Sequence, residues 1–299
     1  MKNKLKNKFV AGWLCLLLAF ALLLIPTFLR DKDFSVNFID VGQGDSILVS
    51  FDGRHALIDG GGSPYNVTAV GEYVVLPYLR SLGINHLDYC ISTHPDADHI
   101  GGLLAVIDQM PVDTLVVFEN YGENQLYDKL LALADARGVN VDFAAKGDVF
   151  TLAEQVQLNI LSPDFGEAFD KDSSNDGSLV TLVSYEDFDV LLTGDLQGDN
   201  QRELLNWDLD FTEIEVLQMP HHGSKNSYDQ VWYDAFSPEA VVISVGKDNS
   251  YGHPDAKIIE YWQNRGVAVL RTDEDGALLI KTDGKEGIYR TYRTDESRG

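Results

Sequence analysis

The sequence predicts an α/β fold, and three observations lead to it. Short apolar, strand-like runs alternate with helix-length stretches along the chain. The alternation repeats in two similar halves, which fits two central sheets flanked by helices; the bare pattern also allows a doubly wound sheet. Polar segments rich in glycine and histidine follow the strand-like runs, where loops should begin, so a site is expected along one edge of the fold.

The strand-like runs of the first half are Ser35–Asp40, Ser46–Phe51, His55–Asp59, Leu87–Thr93, Thr114–Phe118 and Val156–Ser162. Those of the second half are Leu179–Tyr185, Asp189–Thr193, Glu215–Met219, Ala240–Val245, Ala268–Arg271 and Ala277–Thr282. Helix-like stretches are Gly71–Leu82, Gly101–Gln109, Asn124–Arg137, Asp199–Trp207, Ser227–Ala235 and Asp255–Arg265. Within Asn124–Arg137 the apolar residues Leu126, Leu130, Leu131 and Ala134 fall at helical spacing, a core stripe that Gly138 ends. Asp255, after Pro254, starts the last helix. Ser162–Ser178, rich in Asp, Ser, Asn and Gly, reads as a loop at the rim of the site. About 265 residues beyond a short N-terminal segment suffice for one large domain.

The first thirty residues read differently. Lys2, Lys4, Lys6 and Lys8 precede Phe9–Leu29, a run of 21 residues without formal charge. That length spans a bilayer core, and the flanking lysines should stay cytoplasmic, leaving the rest of the chain outside. A cleaved signal peptide is the competing reading, but Ile25–Asp31 offers no Ala-x-Ala pattern. The expected organisation is a single-pass membrane anchor over residues 1–30 and one extracellular domain over residues 31–299. The chain carries a net charge of −24, and all five basic residues of the first thirty lie on the anchor side. So acidic a domain repels polyanions at long range and argues against tight, non-specific DNA binding. The two cysteines, Cys15 and Cys90, sit in unlike surroundings and imply no disulfide framework.

The most informative stretch is Thr93-His94-Pro95-Asp96-Ala97-Asp98-His99-Ile100-Gly101-Gly102. It sets two imidazoles and two carboxylates within six residues, directly after a strand-like run. Alternation along an extended chain sends His94, Asp96 and Asp98 to one side, with His99 where a helix should begin. Four N/O donors at a strand end make a pocket for a divalent metal. A polar turn capped by Asp98 is the plainer reading, but matching pieces recur elsewhere. They are Ile58–Gly62, Leu192–Asp195, Pro220–Ser224 and Tyr251–Pro254, and five of the seven histidines lie in such loops.

These motifs resemble the metallo-β-lactamase-fold hydrolases, with their His-x-His-x-Asp-His signature. The branch most similar is the hydrolase domain of ComEC-type competence proteins. That branch has Asp for the second His, as at Asp96, a Val-Gly-Gln-Gly-Asp-Ser start, as at Val41–Ser46, and loops like His221–Ser224 and Tyr251–Pro254. The resemblance covers roughly residues 34–282 and implies a four-layer αβ/βα sandwich. It implies one or two divalent ions per chain, Zn²⁺ or Mn²⁺. Asp98 and His99 would hold one, joined by His253; His94 and Asp96 would hold the other; Asp195 would bridge them. A water between two cations, its pKa lowered from 15.7 to roughly 7, would be the nucleophile. Asp98 would also orient it. Asp59 would orient a ligating histidine from behind, unless it is only a turn residue before three glycines.

One departure matters: no histidine lies between residues 100 and 220, where many members carry another ligand. Asn175, Asp176 and Ser178 stand near that place. His221 and His222 are ambiguous, since adjacent residues point different ways: His221 is expected as a ligand and His222 as a general acid toward the leaving group. Lys225 and Ser224 are candidates to hold a phosphate oxygen. Asp45 and Ser46 are expected to shape the edge of the site. The functional expectation is a phosphodiesterase, nuclease-like, with single-stranded DNA as the first substrate to consider. Two alternatives stand beside it: an enzyme acting on cell-envelope polymers or small phosphoesters, and a non-catalytic metal-binding surface protein. No protein partner can be inferred.

Overall fold

The structure is a computed structural model that describes residues 34–169, 173–207 and 209–292, together with Trp13. The expected anchor over Phe9–Leu29, Trp13 apart, lies outside the described residues. Among the described residues no helix is long and apolar enough to cross a membrane.

From Phe34 the chain forms an antiparallel meander, β1 (Phe34–Phe38), β2 (Ile47–Phe51) and β3 (Arg54–Ile58). Three parallel strands extend it: β4 (Leu87–Ile91), β5 (Val112–Val117) and β6 (Asn140–Phe143). The second sheet repeats this plan. An antiparallel set, β7 (Val149–Ala153), β8 (Val156–Ser162), β9 (Val180–Tyr185) and β10 (Phe188–Leu192), is extended by parallel β11 (Val216–Gln218), β12 (Ala240–Ile243) and β13 (Ala268–Arg271). The chain then returns to the first sheet with β14 (Ala277–Thr282) and β15 (Gly287–Tyr292), antiparallel beside β1. Among the described residues the result is an eight-stranded and a seven-stranded sheet.

Alternation along the second sheet shows how the layers stack. Val190 and Leu192 of β10, Val216 of β11 and Val242 of β12 belong to one core that also contains Phe34, Val36 and Leu57 of the first sheet. Their neighbours Leu191, Leu217, Val241 and Ile243 turn the other way, into a second core with Trp232 and Trp262 of the helices Gln230–Tyr233 and Ala256–Asn264. Consecutive buried residues on these strands therefore mean a sheet covered on both faces. This resolves the choice the bare pattern left open: two sheets face each other, rather than one doubly wound sheet.

All twelve strand-like runs of the sequence become strands. β6, β7 and β15 have no clear apolar alternation in the sequence, because they are edge strands with many exposed positions. The expected helix Ser227–Ala235 shortens to Gln230–Tyr233, with Asp229 capping its first turn by accepting from the Val231 and Trp232 amides. The helix expected from Gly101 begins at Ala97 instead. Asp98 and His99 therefore lie in its first turn, about 100° apart around the axis, and strand alternation does not govern them.

Candidate metal centre

Strand register brings the motifs together. Ile58 pairs with Ile91 across β3 and β4, so Asp59 and Thr93 leave the sheet side by side. The Asp59 carboxylate accepts from the Thr93 amide at 2.9 Å, from the Thr93 hydroxyl at 2.6 Å and from His99 Nδ1 at 2.8 Å. With Nδ1 engaged there, His99 turns Nε2 inward. In the second sheet, β10 and β11 pair Leu191 with Leu217, and Gln218 Oε1 accepts from the Thr193 amide at 2.9 Å. That places Asp195 beside the loop that carries His221 and His222.

Asp195 is the centre of the arrangement. Its Oδ1 lies 3.3 Å from His99 Nε2 and 3.5 Å from His222 Nε2. Its Oδ2 lies 3.6 Å from His221 Nε2 and 3.8 Å from His94 Nε2. Asp98 Oδ2 approaches His222 Nε2 at 3.7 Å. His94, His99, His222 and Asp195 are all buried. Yet His94 Nε2, His99 Nε2, His222 Nε2 and Asp195 Oδ1 have no hydrogen-bond partner among the described residues. Four converging unpartnered polar atoms are costly unless something satisfies them. The donor types, imidazole nitrogen and carboxylate oxygen, are those a divalent ion takes. His94, His99 and Asp195 offer donor atoms within 4.8 Å of one another, as do Asp98, His99 and His222.

The electrostatics agree. Burial pushes the Asp195 carboxyl up, but the imidazoles of His222, His99 and His221 outweigh it and hold the group well below its usual value. Burial pulls His222 down, but Asp195, Asp98 and Asp45 together carry it up to about 9. His94 is pushed down to about 3, by burial and by the neighbouring His99. A pocket whose carboxylates draw protons onto some buried imidazoles and not others suits a cation in the protons' place.

The structure sorts the expected residues differently from the sequence in three respects. First, the imidazole beside Asp98 and His99 is His222, not His253. His222 donates from Nδ1 to the Ser244 carbonyl at 2.9 Å, which aims Nε2 at Asp195 and Asp98. It is thus set among the inward-facing donors. Second, His253 is half-buried, with its ring 5.4 Å from that of His221, and belongs to none of the donor groups among the described residues. Third, Asp96 belongs to none of the donor groups among the described residues, and its Oδ1 accepts from the Ser174 hydroxyl at 2.9 Å. His221 and His222 both have left-handed backbone, φ +49° and +54°, which splays the two rings. His221 keeps Nδ1 against Gln197 Oε1 at 2.9 Å.

Two residues turn out to matter more than their motifs suggested. Asp45 is fully buried; Oδ2 accepts from Gln218 Nε2 at 2.7 Å, while Oδ1 faces His222 at 4.0 Å without a hydrogen bond. Ser178 accepts from the Asp195 amide at 3.1 Å and stands 3.4 Å from His94 Nδ1, so the loop before β9 closes on the cluster. Asn175, in the same loop, reaches His221 Nδ1 at 3.4 Å. Lys225 is exposed on the wall of a groove that also includes His221 and His253.

Comparisons with known proteins fit this geometry. Residues 39–247 match the metallo-beta-lactamase superfamily model. The chain is 32% identical to the ComE operon protein 3 of Bacillus subtilis over 305 residues, covering 97% of this chain and 38% of that protein. It is 30% identical to the competence protein ComA of Neisseria gonorrhoeae, covering 92% of this chain and 36% of that protein. The chain thus spans little more than a third of the length of these curated relatives. Among solved structures, the fold is similar to CmlA, a diiron beta-hydroxylase from Streptomyces venezuelae. That match has a TM-score of 0.50 at 13% identity and covers 88% of this chain and 55% of that one. The two sheets, the histidine and aspartate cluster at their edge and the family match agree: the chain belongs to the metallo-beta-lactamase superfamily, as a metal-dependent hydrolase of that fold.

Proposed function

We propose that the chain is a phosphodiesterase, nuclease-like, that holds up to two divalent ions around Asp195. The observation that carries this reading is the convergence of His94 Nε2, His99 Nε2, His222 Nε2 and Asp195 Oδ1, all buried and without a hydrogen-bond partner among the described residues. Asp98, His99 and His222 would hold one ion, and His94 with His221 the other, on the two sides of the Asp195 carboxylate. Zn²⁺ and Mn²⁺ both suit such mixed nitrogen and oxygen donors. When bound, the ions would activate water and neutralise charge on the attacked phosphate. Asp59 would fix the His99 ring, Ser244 would fix His222, and Gln197 would fix His221. Lys225 would grip a non-reacting phosphate oxygen. The resemblance to the competence branch favours a nucleic acid strand as substrate. The net charge of −24 favours the second reading, small phosphoesters or cell-envelope polymers.

The deciding experiment incubates the full chain, loaded with Mn²⁺ or Zn²⁺, with single-stranded DNA, a chromogenic phosphodiester and a β-lactam. Turnover of the phosphodiesters and not of the β-lactam is expected. Metal-loaded protein that cleaves neither phosphodiester would overturn the reading. We also propose that residues 9–29 anchor the chain, with the hydrolase domain outside. External protease on intact cells should then digest the domain and spare the lysine-rich end; a protected domain would contradict the anchor.

A further inference from the structure

Beside the metal cluster lies an open groove of about 490 Å³, between the His221–Asn226 loop and the Tyr251–His253 loop. It is continuous with the cluster through His221, whose Nε2 is 3.6 Å from Asp195. Lys225 is exposed on it and has no ion-pair partner among the described residues. The Asp255 carboxylate, also on the groove, is turned to its own helix and accepts from the Lys257 amide at 2.9 Å. Tyr251 is 62% exposed, although one face of its ring lies against the His253 imidazole at 5.8 Å and 29°. A large aromatic ring backed on one side and open on the other is a platform for a planar group. A reacting centre, a free cation and an aromatic platform thus share one groove.

A larger hollow, about 590 Å³, is lined by Phe143 and Phe165 but also by Glu119, Asp148 and Glu167. Its carboxylates would repel a phosphate backbone, and none of the cluster residues lines it. The Lys225 groove holds a cation, and its single carboxylate, Asp255, is engaged at the start of its own helix.

We propose that this groove is a subsite for single-stranded nucleic acid, in which a phosphate next to the scissile one pairs with Lys225 and its base stacks on Tyr251. The inference rests on the phosphodiesterase reading of the cluster. Stacking on one ring tolerates any base, because every base has a π-face. It requires an unpaired base, so the subsite selects single strands over duplex.

The test compares a fluorescent oligothymidylate with an abasic strand of the same length, using the metal-loaded full chain and its Tyr251→Ala, Tyr251→Phe and Lys225→Ala variants. The wild type should show a KM for the thymidylate strand about tenfold lower than for the abasic strand, the effect of roughly one stacked base. Tyr251→Ala should abolish that preference, Tyr251→Phe should retain it, and Lys225→Ala should weaken both strands equally. A preference that survives Tyr251→Ala, or no preference in the wild type, overturns the subsite. If the wild type cleaves neither strand, the phosphodiesterase reading fails by itself. Fluorescence anisotropy with the same strands then decides the subsite: Tyr251-dependent preference for thymidylate supports it, and equal binding of the two strands overturns it.

Discussion

Asp59 and His99 stand forty positions apart in the sequence, yet the carboxylate of one fixes the imidazole of the other at 2.8 Å. The same carboxylate holds the amide and hydroxyl of Thr93, the residue before His94. One buried group therefore positions donors on both sides of the cluster. Asp59→Asn keeps the size of the side chain but removes the charge behind His99. Metal affinity should fall by roughly 10–100-fold, as measured by competition with a chelator while thermal unfolding confirms a folded protein. Unchanged affinity would show that Asp59 only shapes the turn. At this scale the sequence shows which residue types gather in the loops, but not their directions. The His-x-Asp-x-Asp-His spacing marks a metal motif, but placing Asp98 on an extended strand misses the helix that starts at Ala97. The choice between His222 and His253 depends on left-handed backbone at two adjacent histidines, which nothing in their side chains announces. Asp45 looks like a loop residue until Gln218, on the other sheet, is seen to bond it.

At the scale of elements, the loop that carries Asp59 and the helix Ala97–Gln109 touch backbone to backbone. A Cβ on Gly102 would lie 1.9 Å from the Gly60 carbonyl oxygen, and one on Gly62 would lie 1.8 Å from that of Ala97. The Gly102 amide donates to the Gly61 carbonyl at 2.7 Å, and the Gly60 amide to the His99 carbonyl at 2.7 Å. This contact sets the distance between Asp59 and His99. Gly102→Ala should therefore destabilise the protein by about 1–3 kcal/mol, the usual cost of overpacking, and should weaken metal binding along with it. Chemical denaturation and chelator competition on the same sample check both; full stability would mean that the loop moves away without cost. The glycines are plain in the sequence as turn formers, whereas their role as a contact surface needs the partner backbone. The central strands were legible because both faces are buried and their apolar runs are continuous, as in Val190–Leu192. β6 and β15 were not, because edge strands such as Asn140–Phe143 carry too few buried positions to set a period.

For the whole molecule, charge is the dominant property. A chain at −24 approaches a polyanionic strand against its own field. The Debye length falls from about 30 Å at 0.01 M salt to about 8 Å at 0.15 M. kcat/KM for an oligonucleotide should therefore rise across that range, while that for an uncharged ester should not. A fall would mean that local cations such as Lys225 outweigh the net charge. The two-sheet architecture follows from the repeated plan of a meander extended by parallel strands, and the site lies where their strand ends meet. Asp195, at the end of β10, faces four imidazoles and ties the cluster together. The direct measurement is metal content and phosphodiester turnover of wild type and Asp195→Ala, prepared together and shown to be equally folded. The wild type should carry up to two divalent ions per chain. The variant should lose metal and at least about 10²-fold in turnover, on the order of 2.7 kcal/mol of transition-state stabilisation. Equal metal content and equal hydrolysis by the two proteins would contradict the assignment of this cluster as the reacting centre.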